Sequence, residues 1–265
     1  MKKVFAVKLL LFIFITVHAQ ADTAGYFTSF DNTKIYYEVK GNGRPVLLVH
    51  GFTGTCNDWK NKMLFDSLVA NHFKVIIIDL RGNGKSDQPK TPAAYANDAE
   101  AKDIIGLLKF LKVKDYDALG YSRGSIILAR VLVKDSNCKR AVIGGMGADF
   151  TNPQWPRRIG FYNALMNDTI KGYEGFRKYI AGKGLDPLVL ACQQKEQPST
   201  SKEELAALTQ RVLIICGNED SDNGKGSDLQ QLIPNSTYVE VPGNHNNTAY
   251  SAAFAKEVLH FFKQE

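Results

Sequence analysis

Short apolar runs, all but the first opened by one charged residue, recur along the chain at residues 45–49, 74–78, 117–119, 140–143 and 211–216. A strand with one solvated face alternates apolar and polar positions, whereas an unbroken run is the pattern of a strand buried on both faces. Between the runs the apolar positions take helical spacing. Ile104, Ile105, Leu108 and Leu111 share one stripe in a helix predicted over 98–111. Trp59, Met63, Leu64 and Leu68 share another over 58–70. A third helix starts just after residue 122 and ends near Lys134. Shorter signals predict a helix over 228–232, a last strand over 236–241 and a terminal helix over 249–262. Residues 24–39 read as a hairpin, because Asp31-Asn32 is a turn signal between two β-rich runs.

Buried strands alternating with helices predict an α/β fold, a parallel sheet covered by helices on both faces. The rhythm breaks over 150–209. No buried-strand pattern occurs there, and Trp155, Phe161, Tyr162, Tyr173, Phe176 and Tyr179 sit among glycines and prolines. Several short helices are expected in that stretch. In parallel sheets ligands bind beyond the carboxyl ends of the strands. The loops carrying His50, Asp79, Ser122, Asp220 and His245 each follow a predicted strand, so they are expected to meet along one rim.

The sharpest local signal is Gly120-Tyr121-Ser122-Arg123-Gly124. Alone, G-x-S-x-G occurs often by chance, and a glycine-rich turn is its plain reading. Here an apolar run leads in and an amphipathic run leads out. That context predicts a strand, a tight turn and a helix, with the Ser122 hydroxyl at the tip. A serine hydroxyl needs a base, and the base needs an acid to orient it. His245, in the loop after the last strand, is the candidate base. Asp220 is the preferred acid, with Asp222 and then Glu219 behind it and Asp149 after the preceding strand also open. The order Ser, Asp, His fits a nucleophile on such a turn. Two backbone amides must face the developing oxyanion. Arg123, following the nucleophile, and Phe52, after His50-Gly51, are expected to supply them. His50 itself reads as a loop brace. The Arg123 guanidinium needs an anion, either a carboxylate of the protein, the preferred reading, or a substrate group.

These residues together resemble the α/β-hydrolase superfamily over roughly residues 25–263. The likeness rests on His50-Gly51-Phe52, on Asp79-x-Arg81-Gly82-x-Gly84-x-Ser86, on the G-x-S-x-G turn, on the acid loop and on Pro242-Gly-x-His245. It departs from the usual pattern at Arg123, where an uncharged residue is common. The resemblance implies an eight-stranded, mostly parallel sheet and a cap inserted after the sixth strand. The core would then comprise 22–149 and 210–265, with the cap over 150–209. It also implies that Asp79 and Arg81 hold loops together.

Composition adds limits. The 265 residues suffice for one large domain. The formal charge is +6, half of it from Lys2, Lys3 and Lys8, and no dense basic stripe points to nucleic acid. Residues 1–21 read as an export leader: two lysines, the apolar run 9–17, and a cleavage site after Ala21 or, second, Ala19. The run is too short for a membrane span, so no stable membrane anchor is expected and the mature protein is expected in the periplasm or outside the cell. Cys56, Cys138, Cys192 and Cys216 permit disulfides, although Cys216 at the end of an apolar run reads as a buried thiol. No cofactor and no metal are expected. The sequence thus predicts an exported serine hydrolase acting on a small or medium acyl substrate, ahead of other triad chemistries and of a non-catalytic binding protein.

Overall fold

The computed structural model describes residues 22–264. The predicted leader lies outside them. An antiparallel hairpin, β1 (Thr23–Thr28) and β2 (Lys34–Lys40), opens the chain. Six parallel strands follow: β3 (Arg44–Val49), β4 (Phe73–Ile78), β5 (Tyr116–Tyr121), β6 (Cys138–Gly144), β7 (Arg211–Gly217) and β8 (Ser236–Val241). They form one eight-stranded sheet in the order β1-β2-β4-β3-β5-β6-β7-β8, with β2 antiparallel to β4. The expected α/β architecture is therefore present.

The alternating pleat divides the core. Leu47, Val49, Ile76 and Ile78 face one layer of helices, α3 (Ala99–Phe110) and α4 (Arg123–Lys134). Val46, Leu48, Val75 and Ile77 face the other, α2 (Met63–Ala70) and α10 (Ala252–Lys263). Because both faces are covered, each central strand carries a continuous apolar run, with its charged residues confined to the first positions.

The helix predicted over 58–70 is two pieces, α1 (Asn57–Lys60) and α2. Lys62 is extended between them (φ −110°, ψ 140°). Its ammonium turns inward to donate to the Asp58 carbonyl (2.6 Å) and lies over the Trp59 and Tyr250 rings. The break rotates α2, so Met63 is exposed rather than on the buried stripe.

Between β6 and β7 the chain forms α5 (Pro156–Met166), α6 (Glu174–Gly182), α7 (Pro187–Lys195) and α8 (Lys202–Ala206). Helix α9 (Gly226–Gln230) follows β7. All four cysteines are buried free thiols. Among the described residues no helix is long and apolar enough to cross a membrane.

Candidate active site

The sheet order places β3 between β4 and β5, so the connections leave β3 in opposite directions. Such a switch point opens a crevice at the carboxyl ends of the strands. Ser122 follows β5 and Gly51 follows β3, one on each side of that crevice.

Ser122 has φ 55° and ψ −125°, a conformation that costs a non-glycine residue on the order of 1–3 kcal/mol. The surrounding backbone enforces it. A Cβ on Gly120 would strike the Gly124 carbonyl, and one on Gly124 would strike the Val49 carbonyl. The two flanking glycines let strand, turn and helix pass that closely. The hydroxyl therefore stands proud at the N-terminus of α4, where the helix dipole favours negative charge.

His245 meets it there. Its Nε2 lies 2.9 Å from Ser122 Oγ, and its Nδ1 lies 2.9 Å from Asp220 Oδ2. The carboxylate fixes the tautomer: Nδ1–H donates to Asp220, which leaves Nε2 free to accept the serine proton. Of the four acids weighed, Asp220 alone faces the imidazole. Asp222 pairs with Arg157 at the surface (3.1 Å), Glu219 is exposed, and Asp149 lies exposed against Gly224.

The two residues expected to supply the oxyanion amides border a cavity shared with the serine. Arg123 is the first residue of α4, so its amide has no acceptor within the helix. Gly51 packs against the serine: a Cβ there would sit 3.5 Å from Ser122 Cβ. The loop bearing Phe52 is held from below by Asn83, whose Nδ2 donates to the carbonyls of Phe52 (2.9 Å) and Gly54 (3.0 Å). Gln193 of α7 in turn donates to Asn83 Oδ1 (2.6 Å) and to the Arg81 carbonyl.

His50 braces the same loop. Its Nδ1–H donates to the Gly51 carbonyl (2.7 Å) and its Nε2 accepts from the Leu80 amide (3.1 Å). Full burial lowers its pKa, consistent with a neutral ring. Asp79 accepts from the amides of Cys56 and Lys85. Arg81 binds Asp103 through two nitrogens (2.7 Å each) and Asp31 (2.8 Å). Both residues thus join loops. The Arg123 guanidinium makes a bidentate pair with Glu100 of α3 (2.8 and 2.6 Å), both side chains 3% exposed. Of the two anions open to it, a protein carboxylate is the one it meets.

Sequence reasoning missed several neighbours. Tyr121 donates its hydroxyl to the His245 carbonyl (2.8 Å). Asn223 donates to the Gly145 carbonyl (3.0 Å) and rests its amide nitrogen 3.4 Å from both ring nitrogens of His245. Tyr121 stands at a variable position of the G-x-S-x-G turn, and Asn223 carries no motif signal. Glu100 did carry one: it is an acid one helical turn from Ile104, on the stripe that α3 buries. Lys62 sits on a wall of the crevice, and burial lowers its pKa to about 8.

Two cavities meet at Ser122. One, of about 260 Å³, is bordered by His245, Tyr179, Asp58 and Lys62. The other, of about 100 Å³, is bordered by Ile126, Met146, Trp155 and Phe161. The aromatics of the 150–209 stretch divide their work. Trp155, Phe161 and Tyr179 line cavities, while Phe176 and Tyr173 pack on Phe161, and Phe161 and Phe176 also pack on Phe52.

The profile of the α/β hydrolase fold matches residues 44–173. The whole described fold superimposes on solved members of that fold. An esterase from Exiguobacterium antarcticum matches with a TM-score of 0.76 at 21% identity, over 91% of this chain and 100% of that one.

The chain belongs to the α/β-hydrolase superfamily.

Among α/β hydrolases it is similar to a non-heme chloroperoxidase of Streptomyces lividans, 35% identical over 42% of this chain and 39% of that protein. It is also similar to epoxide hydrolase 3 of Siraitia grosvenorii, 33% identical over 51% of this chain and 42% of that protein. The matched region spans between 35% and 39% of the lengths of the first three such relatives. An enol-lactonase from Burkholderia xenovorans shares the fold with a TM-score of 0.73 at 22% identity, over 91% of this chain and 100% of that one. With this α/β hydrolase the sequence relatives share likeness over part of the chain, and the solved structures share the fold. Among its described residues no cluster of three metal-binding side chains occurs.

Proposed function

We propose that this chain is an exported serine hydrolase that cleaves a small or medium carboxylic ester through an acyl-enzyme. The observation that carries the reading is the unbroken chain of contacts from Ser122 Oγ through His245 to Asp220, 2.9 Å at each link. Ser122 attacks the carbonyl carbon while His245 Nε2 takes its proton. The amides of Phe52 and Arg123 stabilise the oxyanion, and Asp220 stabilises the imidazolium. His245 then protonates the departing alcohol. Water, activated by the same imidazole, attacks the acyl-enzyme and restores Ser122.

A non-catalytic binding protein would gain nothing from a strained serine aligned on a base and a buried acid. The haloperoxidase names of several relatives favour a second reading, with hydrogen peroxide in place of water at deacylation. The products would be a peracid and the free serine. Hydrolysis of 4-nitrophenyl esters of graded chain length tests the main reading. Ser122→Ala should lower kcat by about 10⁴-fold or more, and a loss of only a few fold would place the nucleophile elsewhere. Peracid formation exceeding hydrolysis at millimolar peroxide would favour the second reading. Export rests on the basic and apolar leader. N-terminal sequencing of the mature protein should begin at Asp22 or Gln20, and a retained Met1 would refute it.

A further inference from the structure

Ser122 and Phe52 border both cavities, but His245 borders only the larger one. Because His245 must hand a proton to the leaving alcohol, the alcohol belongs in the larger cavity. The acyl group then enters the smaller chamber. At about 100 Å³ that chamber is less than half the size of the other, at about 260 Å³, so the acyl chain is short.

The chamber has an unusual charge pattern. Arg123, Arg157 and Arg158 border it, and no Asp or Glu does. Arg123 is neutralised by Glu100 and Arg157 by Asp222. Arg158 is different. Its Nη1 donates to the carbonyls of Gln194 (2.8 Å) and Lys195 (3.1 Å), and its Nη2 donates to that of Pro153 (2.7 Å). Among the described residues it has no ion-pair partner. Burial lowers its pKa, with only the more distant charge of Glu196 opposing. The three carbonyls fix the guanidinium without neutralising it. Arg123, on the same chamber, keeps its Nε–H buried and without an acceptor. A half-buried cation beside an apolar wall is costly when the protein supplies no anion. A carboxylate arriving with the substrate would offset that cost through charge-assisted hydrogen bonds.

We propose that the acyl half of the substrate carries a carboxylate, received by Arg158, so that the preferred substrates are monoesters or lactones of short dicarboxylic acids. This inference rests on the hydrolase reading above and makes Arg158 a specificity-determining residue.

The test compares ethyl hydrogen succinate with its neutral isostere, ethyl 4-methylpentanoate. The wild-type enzyme should favour the succinate monoester in kcat/KM by about tenfold or more, as a hydrogen bond to a charged group allows. Arg158→Gln should bring the ratio towards one, mainly through KM, and Arg158→Lys should keep part of it. Protection of Ser122 from a fluorophosphonate gives a second readout on the unmutated protein. Succinate should protect at lower concentration than 4-methylpentanoate. Equal or better turnover of the neutral ester, or equal protection by the two acids, would overturn the inference while leaving the hydrolase reading intact. Absence of both turnover and labelling would overturn both.

Discussion

Ser122 is held at a positive φ by neighbours that cannot move aside, and that strain aims its hydroxyl at His245. The motif around the serine and the order of the three side chains were legible in the sequence because each follows a strand exit. The sequence also prefers Asp220 as the acid, but it leaves Asp222 open. Two residues apart on one loop, they differ only in where the backbone points them, and that depends on the turn from Gly217 and on Arg157 of α5, which takes Asp222. Asp220→Asn should therefore lower kcat by about 10³–10⁴-fold by misorienting the imidazole, while Asp222→Asn should change it by less than about threefold. Reversed sizes would move the acid. Arg123 separates side chain from backbone in the same way. A paired Arg123→Met, Glu100→Leu replacement keeps the amide and removes both buried charges together. Such exchanges are often neutral or stabilising, so the double variant should melt within a few degrees of the parent and retain most of its kcat. Glu100→Ala alone strands the guanidinium and should cost about 3–5 kcal/mol in urea denaturation.

The strands were the most legible elements, since burial on both faces writes them as continuous apolar runs. Helix 58–70 was misread as one piece because Asn61-Lys62 carries no proline or glycine. Its break comes from a tertiary contact, the inward turn of Lys62 over Trp59 and Tyr250, which local spacing does not encode. The tie between α7 and the loop bearing Phe52 was equally invisible. It runs through Asn83 and Gln193, which are 110 residues apart. Asn83→Ala removes two hydrogen bonds from the carbonyls of Phe52 and Gly54 and takes away the acceptor of Gln193 Nε2. The expected loss is about 1–3 kcal/mol of stability, together with a fall in kcat larger than any rise in KM. An unchanged kcat would mean that the loop holds its shape without Asn83.

At the scale of the whole molecule, the hairpin, the exit of β4 and α3 are clasped by Arg81, which is fully buried between Asp31 and Asp103. Burial pushes the Asp31 carboxyl up, but hydrogen bonds from Arg81 and Thr33 outweigh it and hold the pKa at about 2, below 3.8. A depressed acid contributes stability above its unfolded pKa and loses it as the pH falls through the folded value. Between pH 4 and pH 2 the urea midpoint should therefore fall, and Asp31→Asn should flatten that fall. The clasp ties the N-terminal hairpin to the loops that frame the crevice, so the rim on which Ser122 and His245 meet depends on contacts far from both. The reactivity of that rim is tested most directly by incubating the folded protein with a fluorophosphonate and mapping the adduct by mass spectrometry. A single adduct on Ser122, formed rapidly and suppressed in His245→Ala, is the predicted result. A folded protein that takes up no label, or takes it on another residue, would contradict the account.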